Sequence, residues 1–208
     1  CSGVFRRRLA ECCAGRTKSW FLRLGICLRR VFFLERQSVF YNRRMSLPRF
    51  YCPGGISVGA SFDLPDDAAR HASRVLRLRE GDAVTLFDGR GGEYVANIVG
   101  VARERVTTEI VEWREIERES RIAITLVQAL QVADKMDTTL QKAVELGVAR
   151  FVPVASRRSV LKLEGERAAR RVAHWRAVVA SACEQCGRNR LPEVAEIAGL
   201  ERWLAQPA

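Results

Sequence analysis

The sequence predicts an α+β protein of two domains: a small β domain over residues 45–118, then an incomplete α/β domain over 119–208, behind a leader over 1–44 that belongs to neither. Three observations predict it. Strand-like runs with a period of two occupy most of residues 83–113. A strand–helix–strand pattern begins near Ser120. Basic charge is crowded into the first 44 residues, where no clean period is visible.

The formal net charge is +11, but its location matters more than its size. Residues 1–44 hold 11 Lys and Arg against 2 acids, whereas the remainder holds 24 against 22. Contact between the folded part and nucleic acid must therefore come from local patches and not from a global field. Three readings of residues 1–44 stand open: translated sequence upstream of a start at Met45, an Arg-rich targeting peptide, or a basic RNA-binding arm. Arg23, Arg29 and Arg30 interrupt every apolar run near the start, so no secretory signal is legible. No window of about 18 uninterrupted apolar residues exists, so no membrane span is expected. A cytoplasmic protein with free thiols follows as the expectation.

The β domain opens with the extended segment PRFY and a Gly54–Gly55 turn. DDAARHASRVL has helical spacing that sets Ala68, Ala72, Val75 and Leu76 on one side, with Arg70, Arg74 and Arg77 elsewhere. AVTLF, EYVANIV and RVTTEIVEW then read as strands of a small barrel or curled sheet. In the last run Val106, Thr108 and Ile110 share one face, and Thr107, Glu109, Val111 and Trp113 the other. The loop DGRGG precedes a strand and not a helix, so it cannot be a helix-terminus phosphate site. His71, Arg74 and Arg77 are either an ordinary solvated helix face or RNA contacts, and no spacing suggests a metal site.

From Ser120 the pattern changes. RIAITLVQAL is a nearly continuous apolar run, as expected of a strand covered on both faces. DKMDTTLQKAVELG reads as a helix with Asp134 as N-cap, a stripe of Met136, Leu140, Ala143 and Val144, and a stop at Gly147. VARFVPVAS is a second buried strand, which makes a parallel βαβ unit. A longer helix spans roughly 164–188, with Val172, Trp175, Val179, Ala182 and Cys186 along its buried face. EVAEIAGLERWLAQPA supplies a short strand and a short helix.

The densest polar cluster is CEQCGRNR, residues 183–190. Three readings compete. Cys183 and Cys186 could be a redox or metal pair, although the motif ends a helix where thiolates gain nothing from the dipole. The cysteines could complete a buried stripe, with Glu184 and Arg188 as a surface i,i+4 pair. Or Glu184, Gln185, Arg188 and Asn189 could form a site for a nucleobase edge or a phosphate.

Five blocks in order carry a resemblance: PRFY at 48–51, H-x-x-x-VLR from His71 to Arg77, GD-x-x-x-LFDG from Gly81 to Gly89, QKAVELGV at 141–148, and ACEQCGRNRLPE at 182–193. Together they resemble the RsmE family, which methylates N3 of a uridine in 16S ribosomal RNA. The resemblance implies a PUA-like RNA-binding β-barrel and a SPOUT methyltransferase domain whose trefoil knot binds S-adenosyl-L-methionine, in a protein that usually dimerises. It makes Arg49, His71, Arg74 and Arg77 candidates for contact with 16S rRNA, and Glu184, Gln185 and Arg188 candidates for catalysis. The family's GPEGG-type donor loop and LRTETA-type knot segment have no counterpart in these 208 residues. The expectation is a chain inactive on its own, with no donor-binding residues; the alternative is a non-catalytic RNA-binding module. Methylation requires the N3 proton to leave as the methyl arrives, so a base or a cation that steadies the N3 anion would serve. Arg188 could stabilise charge, and Glu184 could accept the proton or orient Arg188.

Overall fold

A computed structural model describes residues 47–103, 105–157 and 163–205, and residues 47–208 form one compact unit. The readings of residues 1–44 lie outside the described residues.

The first sheet has the order β1-β3-β4-β5-β2. Its strands are β1 (Arg49–Tyr51), β2 (Ser61–Asp63), β3 (Ala83–Phe87), β4 (Glu93–Val101) and β5 (Val106–Arg114). β1 runs parallel to β3, and the remaining pairs are antiparallel. Period-two alternation sets Val106, Thr108 and Ile110 on one face, as read, and that face is buried with Val84, Leu86, Ala96 and Ile98 from β3 and β4. Phe50, Cys52, Leu64 and the alanines Ala68, Ala69 and Ala72 complete this core. The alanines come from helix α1 (Asp66–Arg70) and a π-helical turn over His71–Val75.

The second sheet is parallel throughout. β6 (Ile124–Ala129) pairs one edge of β7 (Val148–Ala155), while β8 (Glu193–Val194) and β9 (Ala198–Gly199) pair the other. Helix α2 (Ala133–Glu145) makes the crossover, and α3 (Gly165–Cys186) packs beside it. Short α4 (Leu200–Leu204) follows β9. Met136, Leu140 and Val144 of α2 meet Val172, Trp175, Val179 and Cys183 of α3 over Phe151 of β7. Phe87, at the end of β3, belongs to this second core, so a strand of the first sheet ends inside the other.

Four local expectations are corrected. Asp134 lies in the first turn of α2, and Val132 stands at its N-cap. Cys183 takes the buried place in the α3 stripe, and Cys186, a turn further on, is exposed. β6 is not covered on both faces: it lies at an edge of the described sheet, with Ile122 and Ile124 exposed, whereas Phe151–Val154 of β7 are buried throughout. Val75 and Leu76 do not join Ala68 and Ala72 inside.

Candidate functional site

The two sheets meet where α3 ends. Gly187 adopts φ +85° and closes the helix, its N–H donating to the Cys183 carbonyl. A left-handed residue at this place favours glycine because it has no Cβ to clash. The chain then turns into Arg188–Asn189–Arg190 and runs back along the β domain.

Arg188 is only 6% exposed. Its Nε donates to Glu119 at 2.9 Å, Nη2 donates to the same carboxylate, and Nη1 donates to the carbonyls of Val144 (3.0 Å) and Val148 (2.8 Å). The Val144 carbonyl is in the last turn of α2, where it also accepts the Gly147 N–H at 3.0 Å and where a cation is favoured. All three guanidinium nitrogens are thus consumed inside the fold. The surface i,i+4 pair with Glu184 does not form, because the helix stops at Cys186 and Arg188 turns inward.

Arg49, expected at an RNA surface, is also drawn inward. Its Nη1 donates to Glu93 at 2.6 Å and Nη2 to Asn189 Oδ1 at 2.5 Å, with the guanidinium 5.1 Å from the Phe87 ring centroid. Asn189 is fully buried, and its amide nitrogen donates to the Ile116 carbonyl at 2.7 Å. Glu93 also receives Arg118 Nη1 at 2.8 Å. Burial works against the Glu93 charge, but Arg118 and Arg49 outweigh it and hold its carboxyl below the usual range.

Glu184 sits in the last turn of α3, half-buried, and its Oε1 accepts the Tyr51 backbone N–H at 2.8 Å. Strand β1 of the first sheet therefore holds a carboxylate of the second. Burial pushes the Glu184 carboxyl up, partly offset by that N–H and by the charges of His71 and Arg49. Gln185, beside it, is exposed. His71 lies edge-on to Phe50, with centroids 6.1 Å apart. Arg74 and Arg77 are exposed, and Arg77 has φ +54°. The junction thus unites Arg49, Glu184, His71 and Arg188, and leaves Arg74 and Arg77 on the surface. Burial pushes the Cys183 thiol up to about 12, which makes it a poor metal ligand or redox group. No group of three or more metal-ligating side chains occurs among the described residues.

The loop DGRGG has a structural task that its sequence did not reveal. The Leu191 N–H donates to the Gly89 carbonyl at 3.0 Å, and an added Cβ on Gly89 would meet Leu191 Cβ at 3.2 Å and Tyr51 Cε2 at 3.3 Å. Glu93 and Glu119 also escaped the sequence reading. Alternation could not find Glu93, because the β4–β5 register shift between Val95 and Ala96 changes which parity faces inward.

A cleft of about 490 Å³ opens at the C-terminal ends of β7 and β9, lined by Ala155, Ser156, Arg157, Gly199, Leu200 and Glu201. This is where an open α/β sheet takes ligands. S-adenosylmethionine presents an adenine edge, a ribose diol and three charged groups: a sulfonium, an ammonium and a carboxylate. The lining offers one carboxylate, Glu201, and it already pairs with Arg157 at 2.6 Å. These residues do not by themselves fit that group.

Residues 118–208 match the family model described as an RNA methyltransferase domain, and residues 64–111 match an RNA methyltransferase PUA domain. That order of domains defines the class of the fold. Ribosomal RNA small subunit methyltransferase E of Bacillus subtilis is 28% identical over 149 residues, which cover 72% of this chain and 58% of that protein. The same-named protein of Mycobacterium tuberculosis is 30% identical over 149 residues, covering 70% and 55%. Among solved structures, a ribosomal RNA small subunit methyltransferase E from Neisseria gonorrhoeae bound to S-adenosyl methionine aligns with TM-score 0.74 and 45% identity, over 78% of this chain and 66% of that one. A Legionella pneumophila protein described as a methyltransferase, in complex with the bound cofactor SAM, aligns with TM-score 0.76 and 34% identity, over 78% and 67%. The chain belongs to the ribosomal RNA small subunit methyltransferase E family, and its fold is a PUA-like β domain joined to a SPOUT-type methyltransferase domain. It spans a little under three fifths of the length of the Bacillus subtilis relative.

Proposed function

We propose that the protein carrying these residues methylates N3 of a uridine in the 16S rRNA of the small ribosomal subunit, with S-adenosyl-L-methionine as the donor. The observation that carries this reading is Glu184: a carboxylate held half-buried by the Tyr51 N–H, with its pKa raised by burial. A carboxylate with a raised pKa is a stronger base, suited to taking the N3 proton. When bound, the donor supplies an electrophilic methyl group.

Gln185, exposed next to Glu184, presents an amide that can pair with the uracil carbonyl edge. Arg188 acts through the groups it pins and not on the base, because its nitrogens are occupied by Glu119 and two carbonyls. Arg49 also holds the junction, through Nη1 on Glu93 and Nη2 on Asn189. His71, Arg74 and Arg77 remain as the RNA-facing residues, with phosphates the natural ligands of the arginines. The protein works as a homodimer in the cytoplasm on ribosomal particles. No helix among the described residues is long and apolar enough to cross a membrane.

The test incubates unmodified small subunits with the protein and a labelled donor, then digests the RNA to nucleosides. N3-methyluridine is expected, and Glu184→Gln should slow its formation by about 10²-fold. That loss should shrink at high pH, where N3 ionises unaided. Label on another atom, or a variant at full rate, would overturn the reading.

A further inference from the structure

Helical spacing places Val75 and Leu76 on the same side as Ala68 and Ala72, yet the structure turns them outward. Val75 is 68% exposed and Leu76 41%, while Ala72 is fully buried. The cause is local. Over His71–Val75 the helix widens into a π turn, with the Leu76 N–H donating to the His71 carbonyl at 3.0 Å. The wider turn shifts every following residue round the axis. Arg77 then takes φ +54°, a left-handed backbone that disfavours any side chain with a Cβ. Leu78 returns to pack against the β-domain core, its N–H on the Ala72 carbonyl at 2.9 Å.

The outcome is an aliphatic pair at the tip of a strained loop, with guanidiniums at positions 74, 77 and 79. The side chains of Arg77 and Arg79 make no hydrogen bond or ion pair among the described residues. Strained backbone that exposes apolar side chains between cations marks a surface shaped for a ligand. An anionic partner suits the arginines. Two aliphatic side chains are too little for a stable protein interface but suffice to cover one face of a base.

We infer that Val75 and Leu76 form an apolar platform for one unstacked nucleobase, while Arg77 and Arg79 hold the phosphates beside it. This rests on the ribosomal RNA reading above and deepens it. The β domain then selects an unpaired nucleotide in structured RNA, where a phosphate-only surface would accept any duplex.

The test measures binding of the full chain by fluorescence anisotropy, with excess heparin to occupy other basic segments. Two hairpins of equal length are compared, one fully paired and one with a single bulged uridine. The wild type should prefer the bulged probe by about tenfold, the scale of one base contact. The double variant Val75→Ser, Leu76→Ser should bind the bulged probe no better than the paired one, with paired affinity, salt slope and melting temperature unchanged. Arg77→Glu should weaken both probes alike and flatten the log–log salt slope by about one. Loss of affinity for both probes in the serine variant, no loss for either, or a wild type without preference overturns the inference while leaving the RNA reading intact; that surface would then serve a protein. A wild type that heparin strips from both probes overturns the two together.

Discussion

Two sets of arginines, one at the junction of the two sheets and one at the tip of the π turn, meet opposite fates. At the junction, Arg49 and Arg188 are almost out of water, and each is answered by a carboxylate and by amide or carbonyl oxygens. At the tip of the π turn, Arg77 and Arg79 point into solvent beside two exposed aliphatics. The junction uses charge to lock two sheets together; the tip keeps it for a partner. A guanidinium drawn out of water needs a carboxylate within the fold to answer its charge, whereas one in water is free to meet phosphates.

The most severe way to break this contrast is Arg188→Met. Removing the cation leaves the Glu119 carboxylate without its two donors and takes one donor each from the Val144 and Val148 carbonyls. A loss of about 3–5 kcal/mol in urea unfolding is expected; a loss below about 1 kcal/mol would place Arg188 with the surface arginines.

Glu93→Gln should cost less, about 2–3 kcal/mol, because the amide still accepts hydrogen bonds. Its pH dependence sharpens the comparison further. The Glu93 pKa is lowered in the fold, so its stabilisation is present above the ordinary carboxylate value of 4.5 and fades as pH falls through the lower folded value. Thermal melts taken downward from pH 5 should show the wild type losing stability faster than the variant. Glu184 carries the opposite sign. Its raised pKa makes its contribution fully present below 4.5 and lost as pH rises through the higher folded value. Melts of Glu184→Gln should therefore match or exceed the wild type at pH 7, and that advantage should vanish at low pH.

Gly89→Ala tests the docking of the β domain on the CGRNR segment. The position has φ +85°, and the methyl group would crowd Leu191 and Tyr51. A cost of about 1–2 kcal/mol is expected. The smallest effect belongs to the tip. Arg77→Gly should leave the fold intact and raise stability by up to about 1 kcal/mol, since glycine accepts the left-handed backbone. A melting temperature that falls instead would show that the Arg77 side chain is part of the core's support.

Much of this architecture was legible as pattern. Val106, Thr108 and Ile110 alternate inward, and Met136, Leu140 and Val144 recur at helical spacing, because burial of one face imposes a period that any reader can count. The block CEQCGRNR also stood out, but its meaning did not. Which of its side chains face water depends on where α3 stops, and on Glu119 and Val144, more than forty residues away in sequence.

By itself, then, the sequence determined the longer strands and helices, most of the faces they bury and the family to which the chain belongs, because these follow from local periodicity and from blocks in fixed order. Tertiary structure alone decided that Arg49 and Arg188 are clasps, that DGRGG is a docking loop, and that Val75 and Leu76 face outward. Each of those outcomes depends on a partner distant in sequence or on one extra residue in a helical turn, and pairwise desolvation and register leave no period to read.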